Sequence, residues 1–127
     1  MKGLSIAKLE PLLIILIALH SIGIGIGLLW GPAWAFKMAG WENVNPLFFP
    51  RQAGAFHIVA ACAYLIEYFQ YRGILVLLMA KVIATIFLFG SFALGEHSWV
   101  VLLSGIADGL MGIVAFIVHR YAIREKL

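Results

Sequence analysis

The side chains that could carry out chemistry in this chain are few, and they interrupt long apolar stretches. They are His20, His57, Glu67, Lys81, Thr85, Ser104 and Asp108. At membrane depth a charged side chain costs several kcal/mol, so such a residue persists only with a partner or with a function. These side chains are therefore the first candidates for a functional site.

Asp108 and two histidines form the main predicted cluster. Counted at about 1.5 Å of rise per residue, Asp108 and His57 lie at the same depth, and His20 lies roughly one helical turn away. Ser104 shares a helix face with Asp108, and Arg51 lies near the rim. We predict that these five residues surround a ligand-binding pocket.

Three interpretations of this cluster stay open. Asp108 and His57 could form a hydrogen-bonded pair that only sets the register of the helices. The cluster could instead line a pocket for a quinone ring, a lipid headgroup or another amphiphile, with Arg51 attracting anionic groups. It could also move protons, since histidine titrates near physiological pH.

Glu67 and Lys81 form a second predicted pair. They flank one tight turn around Arg72 and Gly73, and the long lysine side chain can bend toward the carboxylate. We expect a structural ion pair between them.

Sequence motifs for catalysis, metal binding or a cofactor are missing. The chain has no phosphate loop, nucleophile elbow or dinucleotide fingerprint, and no closely spaced His or Cys pair that suits a metal. The predicted depths of His20 and His57 differ by about 5 Å, which disfavours axial haem ligation. We predict no catalytic residue, no metal and no cofactor, and nothing indicates a nucleic-acid partner.

The composition determines which elements must position these residues. The chain has 127 residues, of which 64% are hydrophobic and 12% charged, and this excludes a soluble globule and a disordered chain. A transmembrane helix needs about 20 mainly apolar residues. Four stretches meet that requirement, at about 9–30, 52–71, 73–94 and 99–121. We predict an all-α single domain over residues 1–127, a four-transmembrane-helix antiparallel bundle.

The basic residues predict the orientation of this bundle. The side that holds both termini carries Lys2, Lys8, Arg72, Arg120, Arg124 and Lys126. The opposite side carries only Lys37 and Arg51. By the positive-inside rule both termini are cytoplasmic, in the plasma membrane of a bacterium or an archaeon.

The connection between the first two spans is long and aromatic. It runs over residues 31–50, and its Trp34, Met38 and Trp41 recur at helical spacing. We predict a short interfacial helix at the end of the bundle. It could be a lid over an internal pocket, but we favour a simple membrane anchor.

Each predicted span has one stripe of small and polar residues. The stripes are His20, Gly23 and Gly27; Gly54, His57, Ala61, Tyr64 and Tyr68; Lys81, Thr85, Leu88 and Phe92; and Ser104, Asp108, Met111 and Ala115. Lipid excludes polar groups, and small residues let backbones approach, so the stripes are predicted to face one another inside the bundle.

Three segments resemble a known group of membrane proteins. They are Asn45-Pro46 with the run from Phe48 to Gly54, the small-residue second helix, and Ala107-Asp108-Gly109. Over about residues 10–121 the chain resembles the DoxX-like superfamily of small four-helix integral membrane proteins. The resemblance implies a four-helix bundle, sometimes a membrane partner of oxidoreductases, including quinone-linked ones, and it draws attention to Arg51 and Asp108.

The sequence thus predicts a binding or accessory membrane protein rather than an enzyme. The leading hypothesis is a pocket for a lipid-like or quinone-like molecule, in contact with membrane lipids and with partner subunits as candidates for assembly. The alternatives are a structural subunit of a larger membrane complex and a proton-coupled small-solute carrier that works as an oligomer.

Overall fold

The fold consists of helices and their connections. The computed structural model describes residues 3–127, so Lys2 lies outside the described residues. The helices are α1 (Ile6–Trp30), α2 (Ala33–Met38), α3 (Phe48–Tyr71), α4 (Leu75–Ala93) and α5 (Trp99–Lys126). Residues 3–127 contain no β-strand, which confirms the all-α prediction.

Three helices in this range, α1, α4 and α5, are long and apolar enough to cross a membrane. This supports the prediction of a membrane protein. The surface of the protein is consistent with a lipid environment, because many large apolar side chains are exposed along these helices, such as Leu16, Ile86 and Ile113.

Each of the four long helices differs from its predicted span at one or both ends. Helix α3 begins at Phe48 rather than near residue 52, because Pro50 falls in the first turn, where its missing N–H is not needed. Helix α5 continues past residue 121 to Lys126, and α4 ends at Ala93. The short helix α2 ends at Met38, before Trp41.

The four long helices pack in the order α3, α1, α5 and α4. Helix α1 makes its largest contact with α3 and a second one with α5, and α4 packs mainly against α5. The contact between α3 and α4, which the tight turn at Arg72 and Gly73 predicts, is present but is the smallest of the four.

Two glycines bring α1 and α3 into direct backbone contact. A Cβ at Gly25 would lie 2.7 Å from the carbonyl oxygen of Gly54, and a Cβ at Gly54 would lie 2.6 Å from that of Gly25. One turn away, the Ser21 hydroxyl donates to the carbonyl oxygen of His57 at 2.9 Å. Only glycine at both positions permits this approach.

Three glycines of α5, Gly105, Gly109 and Gly112, form a stripe that contacts α4. Side chains of α4 lie against it, with the Cβ of Leu88 at 3.3 Å from a Cβ built on Gly105 and that of Lys81 at 3.2 Å from one on Gly112. Gly109 faces Thr85 in the same way. This stripe sets the spacing between α4 and α5.

The apolar core lies in the half of the bundle near the chain termini. It is formed by Ile14, Ile17, Tyr64, Tyr68, Ile74, Leu77 and Ala115. At that end Glu125 caps α1, because its carboxylate accepts hydrogen bonds from the Ser5 hydroxyl at 2.6 Å and from the N–H of Ala7 at 2.9 Å. A carboxylate at a helix N-terminus satisfies free N–H groups and is favoured by the helix dipole.

Candidate functional site

A cavity of about 350 Å³ lies in the other half of the bundle. Its polar lining residues are His20, His57, Ser104 and Asp108, four of the five predicted ligand-binding residues. They come from α1, α3 and α5, so the predicted inward stripes do meet in one place.

Two glycines of α1 create the space. A Cβ added at Gly23 or at Gly27 would meet no other atom within 4 Å, and both residues line the cavity. The stripe of His20, Gly23 and Gly27 therefore faces the cavity, whereas Ser21 and Gly25 make the contact with α3.

Arg51 does not line this cavity. It is exposed in the first turn of α3. At about 100° per residue, Arg51 is rotated roughly 120° around the helix from His57, so the two side chains leave α3 on different faces. The prediction that Arg51 contacts the ligand has no support in this geometry.

The buried ionic contact of the site joins Asp108 and Lys81. The Lys81 ammonium donates to the Asp108 carboxylate at 2.6 Å, and the two residues are only 5% and 8% exposed. The two opposite charges compensate one another, so this pair adds no net charge to the cavity. The pair also joins α4 to α5 next to the glycine stripe.

The predicted ion pair between Glu67 and Lys81 is wrong. The Glu67 carboxylate accepts hydrogen bonds from the N–H groups of Leu75 at 2.9 Å and Val76 at 2.7 Å. These N–H groups belong to the first turn of α4 and have no partner within the helix. Glu67 is therefore a cap of α4, and Lys81 is free to pair with Asp108.

Glu67→Gln is expected to lower the free energy of unfolding by about 1 kcal/mol, the usual cost of losing a helix cap. The effect should add to that of Lys81→Met within about 0.5 kcal/mol, because the two residues share no contact. Unfolding of the single and double variants in mild detergent measures this. A coupling above about 1 kcal/mol would mean that Glu67 and Lys81 interact after all.

His57 has a defined hydrogen-bond partner on α1. Its Nδ1 lies 3.3 Å from the Ser21 hydroxyl oxygen, which uses its own hydrogen on the His57 carbonyl. That oxygen can therefore only accept from Nδ1–H, which leaves Nε2 of the neutral ring as an acceptor. The His57–Asp108 pair, the first of the three open interpretations, is not formed: His57 Nδ1 contacts Ser21, and Asp108 pairs with Lys81.

Helix α2 and the residues after it cover the cavity. Ala35, Phe36, Ala39 and Trp41 line it, and Phe36 is buried. The start of α5 holds this segment, since the Ser98 hydroxyl donates to the Ala39 carbonyl and the Trp99 indole donates to the Met38 carbonyl at 3.0 Å. This geometry favours the lid over the simple anchor, although Trp34 and Met38 stay exposed.

A second polar cluster near the termini was not predicted from the sequence. Glu10, only 2% exposed, pairs with the His119 imidazole and accepts a hydrogen bond from the Tyr68 hydroxyl at 3.1 Å. The available signal was the shared depth of Glu10, Tyr68 and His119, each within one helical turn of the terminal edge of its predicted span.

The residues from 3 to 127 contain no group of three or more His, Cys, Asp or Glu side chains that could hold a metal ion. No protein-family model, curated protein or solved structure matches the chain. The functional assignment therefore depends on the geometry described above.

Proposed function

We propose that this membrane protein holds the polar head of a quinone-like or lipid-like molecule in the cavity beneath α2. The observation that carries the proposal is the convergence of His20, His57, Ser104 and Asp108 on one cavity whose other lining residues are mainly apolar. Apolar pockets with a few convergent polar groups are typical ligand sites, at about 300–1,000 Å³. The volume of about 350 Å³ suits a ring-sized head, with the tail lying against apolar helix surfaces.

The chemistry of the lining favours an uncharged head. Lys81 compensates the charge of Asp108, and Ser104 offers a hydroxyl donor. His57 offers the acceptor nitrogen that its contact with Ser21 leaves free. Carbonyl and hydroxyl groups on one ring would satisfy both kinds of partner.

The proposal includes α3 as a fourth membrane span. Its polar side chains His57, Tyr64 and Tyr68 turn toward the bundle, which lowers the average hydropathy of the helix without exposing polar groups to lipid. The outward positions between residues 55 and 69 are apolar and include Phe56, Val59, Ile66 and Phe69. Lipid would therefore meet an oily surface on α3 as well.

With four spans, both termini lie on one side, and the excess of Lys and Arg there makes that side cytoplasmic. The cavity beneath α2 then lies in the half of the membrane away from the cytoplasm. The DoxX-like resemblance is part of the same proposal, and it favours an accessory role beside a membrane oxidoreductase.

Gly23→Leu is expected to abolish ligand binding, because the new side chain fills the cavity without meeting a backbone neighbour. In the wild-type protein, a quinone present at 100 times its Kd should stabilise the fold by about 2.7 kcal/mol, measured as a rise in Tm. Mass spectrometry of the gently purified protein should identify a co-purifying amphiphile.

Gly90→Leu is the matched control, since Gly90 is equally free of neighbours but does not line the cavity. It should keep the quinone response. The proposal fails if no amphiphile co-purifies and the quinone raises Tm equally in the wild-type protein, Gly23→Leu and Gly90→Leu. Co-purification of partner chains alone would favour the structural subunit, and uptake driven by a pH gradient in proteoliposomes would favour the carrier.

A further inference from the structure

A second cavity, of about 530 Å³, lies at the end of the bundle that holds the termini. It is lined by Glu10 of α1, by Tyr68 and Arg72 at the end of α3, by His119, Ile123 and Lys126 of α5, and by Leu127. It shares no lining residue with the cavity beneath α2.

Two basic side chains of this cavity lack an ionic partner. Glu10 is already engaged, because its carboxylate contacts the His119 imidazole and accepts a hydrogen bond from the Tyr68 hydroxyl. Arg72 and Lys126 form no salt bridge within the part of the chain that the structure describes. The cavity therefore presents two free cations beside a buried acceptor.

Arg72 adopts a left-handed backbone conformation, which is unfavourable for most residues other than glycine. It is the C-cap of α3 in the left-handed conformation, with φ 58° and ψ 24°, and Gly73 follows directly. Glycine or asparagine is the usual residue at such a position, because a side chain there is strained. A role for its cation at the rim of the cavity would explain why an arginine occupies this position.

We infer that this cavity binds a phosphate ester that carries free hydroxyls, which is the headgroup chemistry of an anionic phospholipid. Guanidinium and ammonium groups bind phosphate oxygens through charge-assisted hydrogen bonds, so Arg72 and Lys126 hold the phosphate. The carboxylate of Glu10 is placed to accept a hydrogen bond from a hydroxyl, and Ile123 supplies an apolar wall for the start of an acyl chain. The inference uses the four-span topology proposed above but not the ligand of the cavity beneath α2.

The test is a lipid titration of the full chain in neutral detergent, followed by native mass spectrometry. A phosphatidylglycerol should bind more tightly than a phosphatidylcholine with the same acyl chains. The double variant Arg72→Gln/Lys126→Gln should lose about 10-fold or more in affinity for the anionic lipid, because two charge-assisted contacts are removed. Both residues are exposed, so the variant should keep its fold.

The matched control is Arg120→Gln/Arg124→Gln, which removes the same charge from the same end of α5 but outside the cavity lining. It should stay within about 2-fold of the wild-type affinity, well below the 10-fold change that 1.4 kcal/mol produces. Inorganic phosphate is the third ligand. If it raises Tm in a way that requires Arg72 and Lys126, the site takes the free anion; if only the lipid does so, the site takes the headgroup.

Equal binding of the two lipids would overturn the inference, as would an equal loss of affinity in the two double variants. Neither result would change the rise in Tm with added quinone, which reports on the other cavity. Failure here is therefore distinguishable from failure of the proposed function.

Discussion

Lys81→Met is expected to lower the free energy of unfolding by about 3–5 kcal/mol, the usual cost of breaking a buried ion pair from one side. The substitution leaves the Asp108 carboxylate without its 2.6 Å partner at a position that is 8% exposed. Methionine keeps most of the lysine volume, so the loss would come from the uncompensated charge rather than from a void. Unfolding in mild detergent measures it.

The double variant Lys81→Met/Asp108→Leu is the matched control. It removes both charges and keeps apolar volume between α4 and α5, so it should recover most of the lost stability. If Lys81→Met alone costs less than about 1 kcal/mol, the pair behaves like a solvent-exposed ion pair and its assignment as a buried contact is wrong.

Gly54→Ala is expected to destabilise the fold by about 2–3 kcal/mol, at the upper end of ordinary overpacking costs. Its new Cβ would lie 2.6 Å from the Gly25 carbonyl oxygen and 2.9 Å from the Leu29 backbone nitrogen. Both are backbone atoms, so α1 and α3 must move apart. Gly25→Ala should behave similarly, because its Cβ would meet the Gly54 carbonyl oxygen at 2.7 Å.

Gly23→Ala and Gly27→Ala are the controls on the same helix. Their Cβ atoms would meet nothing within 4 Å, so the higher helix propensity of alanine should leave stability unchanged or raise it by up to about 1 kcal/mol. Equal losses of stability in Gly25→Ala and Gly23→Ala would contradict the close contact between α1 and α3. The thermal unfolding of the four alanine variants, compared in one detergent, gives the answer.

This contact also matters for the proposed ligand site. The Gly25–Gly54 contact lies one turn from the Ser21–His57 hydrogen bonds, which hold the imidazole of His57. Separation of α1 from α3 would break these bonds and displace His57 from the cavity. Gly54→Ala should therefore weaken quinone binding as well as stability.

Sequence patterns were sufficient for features that depend on one segment alone. Apolar stretches of spanning length predicted α1, α4 and α5, because a helix satisfies its backbone groups within its own segment. The helical period also grouped His57 with Gly54, and Ser104 with Asp108, on their inward faces. Four of the predicted site residues met in the cavity for this reason.

Pairings between segments could not be predicted in the same way. Lys81 could reach either Glu67 or Asp108, and spacing along the chain favoured Glu67. The structure decided for Asp108, because Glu67 caps the free N–H groups of α4, whereas Gly112 brings Lys81 close to α5. The pairing of Glu10 with His119 likewise depends on two segments at opposite ends of the chain.

The helical class, the membrane character and the inward faces of the helices could thus be predicted from the residue pattern. The pattern did not reveal that Gly23 and Gly27 line a cavity while Gly25 makes the contact, or that α2 covers that cavity. Periodicity defines which residues share a face, whereas the rotation of each helix against its neighbours depends on the packing of all the helices together.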